Sequence, residues 1–409
     1  MTRLDPVTDS RSLDERKQLL RISLVFVFSA PFVQNGALYF CLKEGDPLTE
    51  HDLMREAINE AKKGLGYVDP NPLVGAVIVK NGCIISRGYH QRYGEFHAER
   101  NAILNSPEDV SGAEIYVTLE PCCHSGKTPP CTDIIIQSGI KKVYMGSDDP
   151  NPLVAGKGAE ILRKSGIEVV TGVLKDECDR LNPVFFHYIL NKTPYVVLKY
   201  AMTADGKTAA YTGRSKWISS ESSRLDVQKL RLWCTGIMTG VETVIKDDPR
   251  LTCRLENGRD PVRIICDSNL RIPEDSYIVK TAKSIRTIIV CTEKADKKRA
   301  DMLSSYGAEI VFTPEKDGRT DLVFLMQKLG EMKINSILLE GGSELSFSAL
   351  KSGIVNRVIS YISPKLLGGR NAFTPLGGKG FDDPENCPKL SRPYITLIEN
   401  DIKAEWEVL

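Results

Sequence analysis

Hydrophobic and polar positions between residues 48 and 190 alternate between a helical and an extended register. Leu53–Lys63 carries apolar residues at 54, 57, 58 and 61, one face of a helix that Gly64 ends. Pro70–Gly75 leads into an apolar strand, Ala76–Lys80. Asn81-Gly82 is a two-residue hairpin signal, so Cys83–Gly88 is expected to return antiparallel. A short helix (Ala98–Leu104), a strand (114–119), a helix from about Pro130, a strand (Lys142–Met145), a helix (Gly158–Ser165) and a strand (Glu168–Thr171) follow. This order predicts an α/β domain with a mixed sheet.

A second series begins at Pro194, after Asn191-Lys192-Thr193. It predicts strand Tyr195–Ala201, a turn at Asp205-Gly206-Lys207, and an amphipathic helix Ser220–Leu232 with Leu225, Leu230 and Trp233 on its apolar side. Strands Gly236–Thr239, Val262–Asp267 and Thr287–Cys291 come next, with helices around Asp296–Tyr306 and Asp321–Leu329. A buried strand, Ile337–Leu339, breaks at Gly341-Gly342 into helix 344–352. The chain of 409 residues exceeds one ordinary core, and the expected division is an extension (1–47), a first domain (48–190) and a second (194–409). Within the extension, Leu19–Ala30 follows Arg16-Lys17 as a signal peptide would, but Arg21 interrupts it and it is too short to span a membrane. The extension is therefore expected to be dispensable or disordered.

Charge narrows the functional classes. Lys and Arg number 54 against 53 acidic residues, a net +1 that favours neither nucleic acid nor membrane. Eleven cysteines are too sparse for a disulfide scaffold, and thiolates wanted for metal suit a cytoplasmic location.

The chemistry concentrates between His97 and Cys131. His97-Ala-Glu99 is followed by Glu120-Pro-Cys122 and Pro129-Pro-Cys131. One imidazole and two thiolates, His97, Cys122 and Cys131, can hold Zn²⁺ and leave the fourth position to water, as a catalytic zinc requires. Glu99 sits two residues after the His, where it can move protons without being a ligand. This is the pattern of zinc nucleobase deaminases, except that the second Cys is usually three residues after the first, where this chain has Ser125. A structural zinc would need a fourth protein ligand, which Cys123 or His124 could supply. In the second domain, Gly341-Gly342 at a strand end allows close approach of a phosphate to a helix start. No G-x-G-x-x-G is present.

Pro70-Asn71-Pro72-x-Val-Gly, Gly88-Tyr-His90, the His97–Cys131 stretch and Asp149-Pro-Asn-Pro-x-Val-Ala-Gly156 together resemble the bifunctional riboflavin-biosynthesis deaminase–reductase family. Asp205-Gly-Lys207-Thr, Ser215-Lys-Trp217-Ile-Ser, Thr243-Val-x-x-Asp247-Asp-Pro-x-Leu251-Thr and Glu340-Gly-Gly resemble its reductase half. The resemblance runs from about residue 48 to the end. It implies a cytidine-deaminase-like α/β/α domain followed by a dihydrofolate-reductase-like α/β domain that uses NADPH. The implied reactions are deamination of 2,5-diamino-6-ribosylamino-4(3H)-pyrimidinone 5′-phosphate and reduction of its ribosyl group to ribityl.

By the same resemblance Asn71, His90, His124 and Lys127 contact the pyrimidine phosphate. NADPH meets Ala201, Trp217, Thr243, Asp247, Ser268 and the helix start Gly342, Ser343, Glu344, Leu345, Ser346, Phe347 and Ser348. Ser215, Arg231, Leu251, Arg254 and Glu340 meet the second substrate, and the protein is expected to be a homo-oligomer. Asn101 stands where the family often has His. Some assignments also make physical sense: Arg231 and Arg254 suit a phosphate bidentately, although Arg231 also reads as part of a solvated helix face. The basic run Lys294, Lys297, Lys298 and Arg299 is either a solvated helix start or a site for the 2′-phosphate of NADPH. Two rivals remain: a zinc deaminase of another base or of tRNA with a degenerate second domain, and a zinc-stapled binding protein.

Overall fold

The computed structural model describes residues 32–34, 37–39, 48–124, 129–151 and 154–409. Within the extension, β1 (Phe32–Gln34) and β2 (Ala37–Tyr39) pair as an antiparallel hairpin. The Leu19–Ala30 run lies outside the described residues.

Helix α1 (Glu50–Lys62) starts at a capping box in which Thr49 and Asp52 satisfy each other's backbone N–H. Its expected face is buried, with Met54, Ala57, Ile58 and Ala61 at 5% exposure or less. Next come β3 (Gly75–Lys80) and β4 (Cys83–Tyr89), joined by Asn81 and Gly82 in left-handed conformations at φ 51° and 76°. Cys83 is disulfide-bonded. Then follow α2 (Ala98–Leu104), β5 (Glu114–Leu119), α3 (Cys131–Gln137), β6 (Lys142–Ser147), α4 (Lys157–Lys164) and β7 (Glu168–Val170).

These strands form one sheet in the order β4-β3-β5-β6-β7, antiparallel at the first two pairings and parallel at the others. Alternation along β3 sends Val77 and Val79 to the α1 side, while Ala76 and Ile78 face α2, α3 and α4. Helices thus cover both faces. Gly88 lets α2 lie directly on β4, since a Cβ there would stand 2.3 Å from the Ala102 nitrogen and 2.4 Å from the Ala98 oxygen. That close seating holds the start of α2 over the end of the sheet.

Two helices, α5 (Lys175–Asp179) and α6 (Pro183–Asn191), lead to the second sheet; the hydrophobic pattern did not announce either. The second half runs β8 (Tyr195–Thr203), α7 (Glu221–Trp233), β9 (Gly236–Gly240), α8 (Val241–Asp247), β10 (Val262–Cys266), α9 (Tyr277–Lys280), β11 (Thr287–Thr292) and α10 (Lys297–Ser305). It continues with β12 (Glu309–Thr313), a small hairpin β13 (Glu315–Lys316) and β14 (Arg319–Thr320), and α11 (Leu322–Glu331). It ends with β15 (Ser336–Leu339), α12 (Ser343–Lys351), β16 (Arg357–Ser363), β17 (Tyr394–Ile398) and β18 (Asp401–Glu407).

Nine strands pair in the order β12-β11-β10-β9-β15-β8-β16-β18-β17. From β12 to β16 every pairing is parallel, and β18 and β17 add an antiparallel edge. Parallel strands need both faces covered: the fully buried Ile264, Ile288 and Val290 pack on one face, and the fully buried Ile237, Ile265 and Ile289 on the other. One expectation fails: Leu225 is 54% exposed, and α7 buries Val227 beside Leu230 instead. No helix among the described residues is long and apolar enough to cross a membrane.

Candidate metal centre and dinucleotide cavity

His97 is the residue immediately before α2, and Glu99 lies in that helix's first turn. Cys122 follows the end of β5, and Cys131 opens α3. The two cysteines are brought together where the Cys131 and Thr132 backbone N–H groups donate to the Cys122 carbonyl at 3.0 and 3.2 Å. The two sulfurs each stand 3.5 Å from His97 Nδ1. Tetrahedral zinc with ordinary bond lengths sets a sulfur–nitrogen separation of about 3.6 Å. The three residues therefore fit the ion. Cys122 and Cys131 are free of disulfides, and hydrogen bonds from Cys131 and His97 hold the Cys122 thiol low, in the thiolate form a metal needs.

Among the described residues, no fourth protein ligand joins the trio. His124 is exposed, and Cys123 lies outside the cluster. A coordination position is left open, as catalysis needs and a structural site does not. Glu99 is buried at 3% exposure, and its Oε2 has no hydrogen-bond partner. Burial, reinforced by the Cys122 charge, pushes its carboxyl up to about 6.

His90 packs edge-on against His97 with ring centroids 5.2 Å apart. Its Nδ1 lies 3.0 Å from the Phe96 carbonyl, which can only accept, so Nδ1 carries the proton. Nε2 then accepts from the Asn71 amide at 3.1 Å, and the Asn71 amide oxygen remains as an acceptor. Burial lowers the His90 pKa and keeps the ring neutral. Asn101 donates to the Tyr89 and Phe96 carbonyls at 2.9 and 3.2 Å, fixing the chain ahead of α2 without approaching the metal position. Lys127 lies outside the described residues.

Sequence reasoning quoted Glu120 only as part of a motif. Its carboxylate accepts from Gly156 and Ala159 N–H at 2.9 and 3.1 Å, tying the Cys122 loop to the start of α4. Asn182 left no sequence signal at all. Buried at 4% exposure, it pairs with both backbone groups of Leu73, at 2.7 and 2.8 Å.

In the second half, a cavity of about 1410 Å³ opens where β8, β9, β10 and β15 end. It exceeds a drug-sized pocket of roughly 300–1,000 Å³ and has room for a dinucleotide with a second ligand. Ala201, Ser215, Thr243, Asp247, Ser268 and Glu340 line it, as do Gly342, Ser343, Glu344, Leu345, Phe347 and Ser348 at the start of α12. Ser346 does not, because the helical period turns it inward at 2% exposure. Leu251 is buried in the core beside Val241 and Val244. Arg254 is exposed, with its backbone N–H held by Gln228 at 3.0 Å. Trp217 is 62% exposed under the Arg224 guanidinium and lies off the cavity wall.

Arg231 is not on a solvated face. It grips Glu340 with two bonds of 3.0 and 3.1 Å and donates to the Thr252 carbonyl at 2.9 Å. Lys199, which the sequence did not single out, lines the cavity 3.7 Å from the same carboxylate. Burial alone would push the Glu340 carboxyl up, but Arg231 and Lys199 overcome it and hold it down at about 2. The basic run at the start of α10 does not reach the cavity. Lys294 pairs with Glu315 at 2.9 Å, and Arg299 caps the Leu270 and Ile272 carbonyls. Besides Lys199, the cations on the wall are Lys246, Arg271, Lys316, Arg319, Lys351 and Lys379.

A family model described as the cytidine and deoxycytidylate deaminase zinc-binding region matches residues 48–147, and one described as the RibD C-terminal domain matches residues 194–404. With the geometry above, these matches define a two-activity enzyme, a zinc-dependent deaminase followed by an NADPH-dependent reductase. A riboflavin biosynthesis protein RibD from Actinobacillus pleuropneumoniae is 55% identical over 362 residues, 88% of this chain and 96% of that protein. The Escherichia coli RibD is 40% identical over 77% of this chain and 88% of its own length. Solved structures of Acinetobacter baumannii RibD (35% identity) and of a Thermotoga maritima protein (38%) superpose at TM-score 0.75, each covering 88% of this chain and 98% of the other. The chain belongs to the RibD family of bifunctional deaminase–reductases of riboflavin biosynthesis. The cytidine-deaminase-like and dihydrofolate-reductase-like folds expected from the sequence are both present.

Proposed function

We propose that the first half deaminates 2,5-diamino-6-ribosylamino-4(3H)-pyrimidinone 5′-phosphate and the second half reduces the product's ribosyl group to ribityl with NADPH. The similar Thermotoga maritima structure is described as a diaminohydroxyphosphoribosylaminopyrimidine deaminase/5-amino-6-(5-phosphoribosylamino)uracil reductase, which supports this substrate. The observation that carries the deaminase reading is the three-ligand cluster with an open side next to the buried Glu99, whose Oε2 has no hydrogen-bond partner.

Zinc, when held by His97, Cys122 and Cys131, supplies Lewis acidity and an acidified water. Glu99 Oε2 accepts a proton at the open side and returns it to the departing amine nitrogen; a carboxyl near 6 suits both halves of that transfer. Neutral His90 orients Asn71, whose amide oxygen accepts from a ring or amine N–H of the pyrimidine. His124 and Lys127 stand for the phosphate end in this reading.

NADPH supplies hydride in the reductase half. Net, C1′ gains a hydride and the ribose ring oxygen leaves as a hydroxyl, so one proton must be delivered. Lys199 Nζ, on the cavity wall beside Glu340, is the acid placed to deliver it. Lys199→Met is expected to lower NADPH oxidation about 100-fold. The dissociation constant for NADPH should stay within twofold, and a comparable loss of cofactor binding would refute the proton role.

Small-molecule substrates suit the net charge of +1 better than nucleic acid does. Metal-binding thiols support a cytoplasmic location. Tyr394, Ile395 and Leu397, exposed on the edge strand β17, support a homo-oligomer through the reductase half.

The test follows ammonia and NADPH in one sample with the diaminopyrimidine ribosyl phosphate. Both signals are expected. Removing zinc with a chelator should abolish ammonia release while the chain still binds NADPH. Ammonia without NADPH loss would leave only the deaminase half of the reading standing.

A further inference from the structure

We infer that Asn335 of the reductase half positions the substrate loop of the deaminase half through a hydrogen bond to Asp69. The inference rests on the reading of Asn71 and His90 as substrate contacts. Residues 69–73 belong to no helix or strand, and they reach Asn71 directly from Asp69-Pro70. Asn71 is tied to the deaminase half by its N–H to the Val68 carbonyl at 2.8 Å and by its side chain to His90 at 3.1 Å. What sets the loop's path comes from outside the five-stranded sheet.

At one end, the Asn335 amide donates to Asp69 Oδ1. Asn335 is 3% exposed, and the Asp69 carboxylate, which accepts, sets its amide orientation; its oxygen then accepts from the Thr235 and Ser336 hydroxyls at 2.9 and 3.0 Å. Its backbone carbonyl accepts from Tyr195 N–H at 2.8 Å, which anchors it to the nine-stranded sheet. The donor aimed at Asp69 is therefore as rigid as β15 itself. At the other end, Asn182 grips Leu73 at both backbone groups from the residue before α6, the helix that leads into the reductase half.

The surrounding contact is close. Gly66, at φ +85°, sits where a Cβ would be 2.5 Å from Leu232 Cγ of α7, and Tyr67 Oη donates to the Asn257 carbonyl at 3.4 Å. Burial pushes the Asp69 carboxyl up while the Asn335 bond opposes it, as expected for a group enclosed between the halves. A substrate-contact loop moved from its place binds substrate less tightly in ground and transition states alike, which kinetics read as a raised KM at unchanged kcat. The loop carrying Asn71 is thus referenced to the reductase sheet, and the deaminase site is complete only against its partner half.

The decisive variants reverse the hydrogen bond. Asn335→Asp keeps an oxygen for the Thr235 and Ser336 hydroxyls but sets a second carboxylate against Asp69. Adding Asp69→Asn restores one donor and one acceptor with their places exchanged, and Asp69→Asn alone keeps the original bond. Ammonia release by Asn335→Asp is expected to show a KM raised about tenfold. Its kcat, zinc content and NADPH oxidation should match the parent. The double variant should return KM to within about twofold, a rescue that a general loss of stability would not show. An unchanged KM in Asn335→Asp, or a raised KM that the double variant does not restore, overturns the proposal. Should Asn335→Asp not fold, Asp69→Ala against Asp69→Asn gives the same comparison from the deaminase side, and equal KM values there overturn it. Asn71→Ala serves as the reference: if it leaves KM unchanged, the reading of Asn71 as a substrate contact has failed.

Discussion

Glu99→Gln is expected to keep zinc bound at the parent stoichiometry and to release ammonia at least about 1,000-fold more slowly, with NADPH oxidation on the deaminated substrate intact. Proton transfer by a positioned carboxylate contributes roughly 100- to 10,000-fold, and here two transfers use the same group. The size of the effect follows from the site. Glu99 is shut away from solvent with an unpartnered Oε2, so no other described side chain hydrogen-bonds there to substitute for it. Glutamine has the same shape and keeps α2 packed on Gly88, but it cannot accept and return a proton. His97, Cys122 and Cys131 are untouched, so metal analysis should find the parent zinc content. Turnover near the parent rate would remove Glu99 from the chemistry. Loss of zinc would make it a support of the ligand set instead.

The deaminase centre was legible in the sequence because its chemistry is local. His97 and Glu99 share one helix start, Cys122 follows one strand and Cys131 opens the next helix, so spacing and element order together place them. Local signals also served the elements: Asn81-Gly82 gave the hairpin, and apolar spacing gave α1. The reductase site has no such compactness. Arg231 reads as a solvated residue until Glu340, 109 positions away, is brought against it. Lys199 sits in a run of strand residues with nothing to mark it. Asn182 and Asn335 resemble ordinary turn residues, and only burial with a specific partner reveals their work. Leu225 shows the opposite failure, since α7 buries a different stripe from the one its leucines suggest.

The pair at the root of the reductase cavity sets the second large effect. Arg231→Met is expected to destabilise the reductase half by about 3 kcal/mol, because it leaves the Glu340 carboxylate largely buried beside a single remaining cation. For a unit of this size the unfolding midpoint should fall by roughly 6–12 °C. All three tryptophans, Trp217, Trp233 and Trp406, lie in the reductase half, so their fluorescence isolates its transition from that of the deaminase. The pH dependence has a fixed sign. The folded carboxyl of Glu340 is depressed from 4.5 to about 2, so its stabilisation is complete above about 4.5 and is lost as pH falls towards 2. Between those limits the parent should lose stability more steeply than Arg231→Met, in which the attraction that depresses the carboxyl is largely gone. Combining Arg231→Met with Glu340→Gln removes the buried charge and should recover much of the midpoint. It should not recover NADPH oxidation on the sugar phosphate, because the group that holds Lys199 at the cavity wall has gone. If Arg231→Met unfolds at the parent temperature, Glu340 is solvated in the working enzyme and the ion pair is not what builds this end of the cavity.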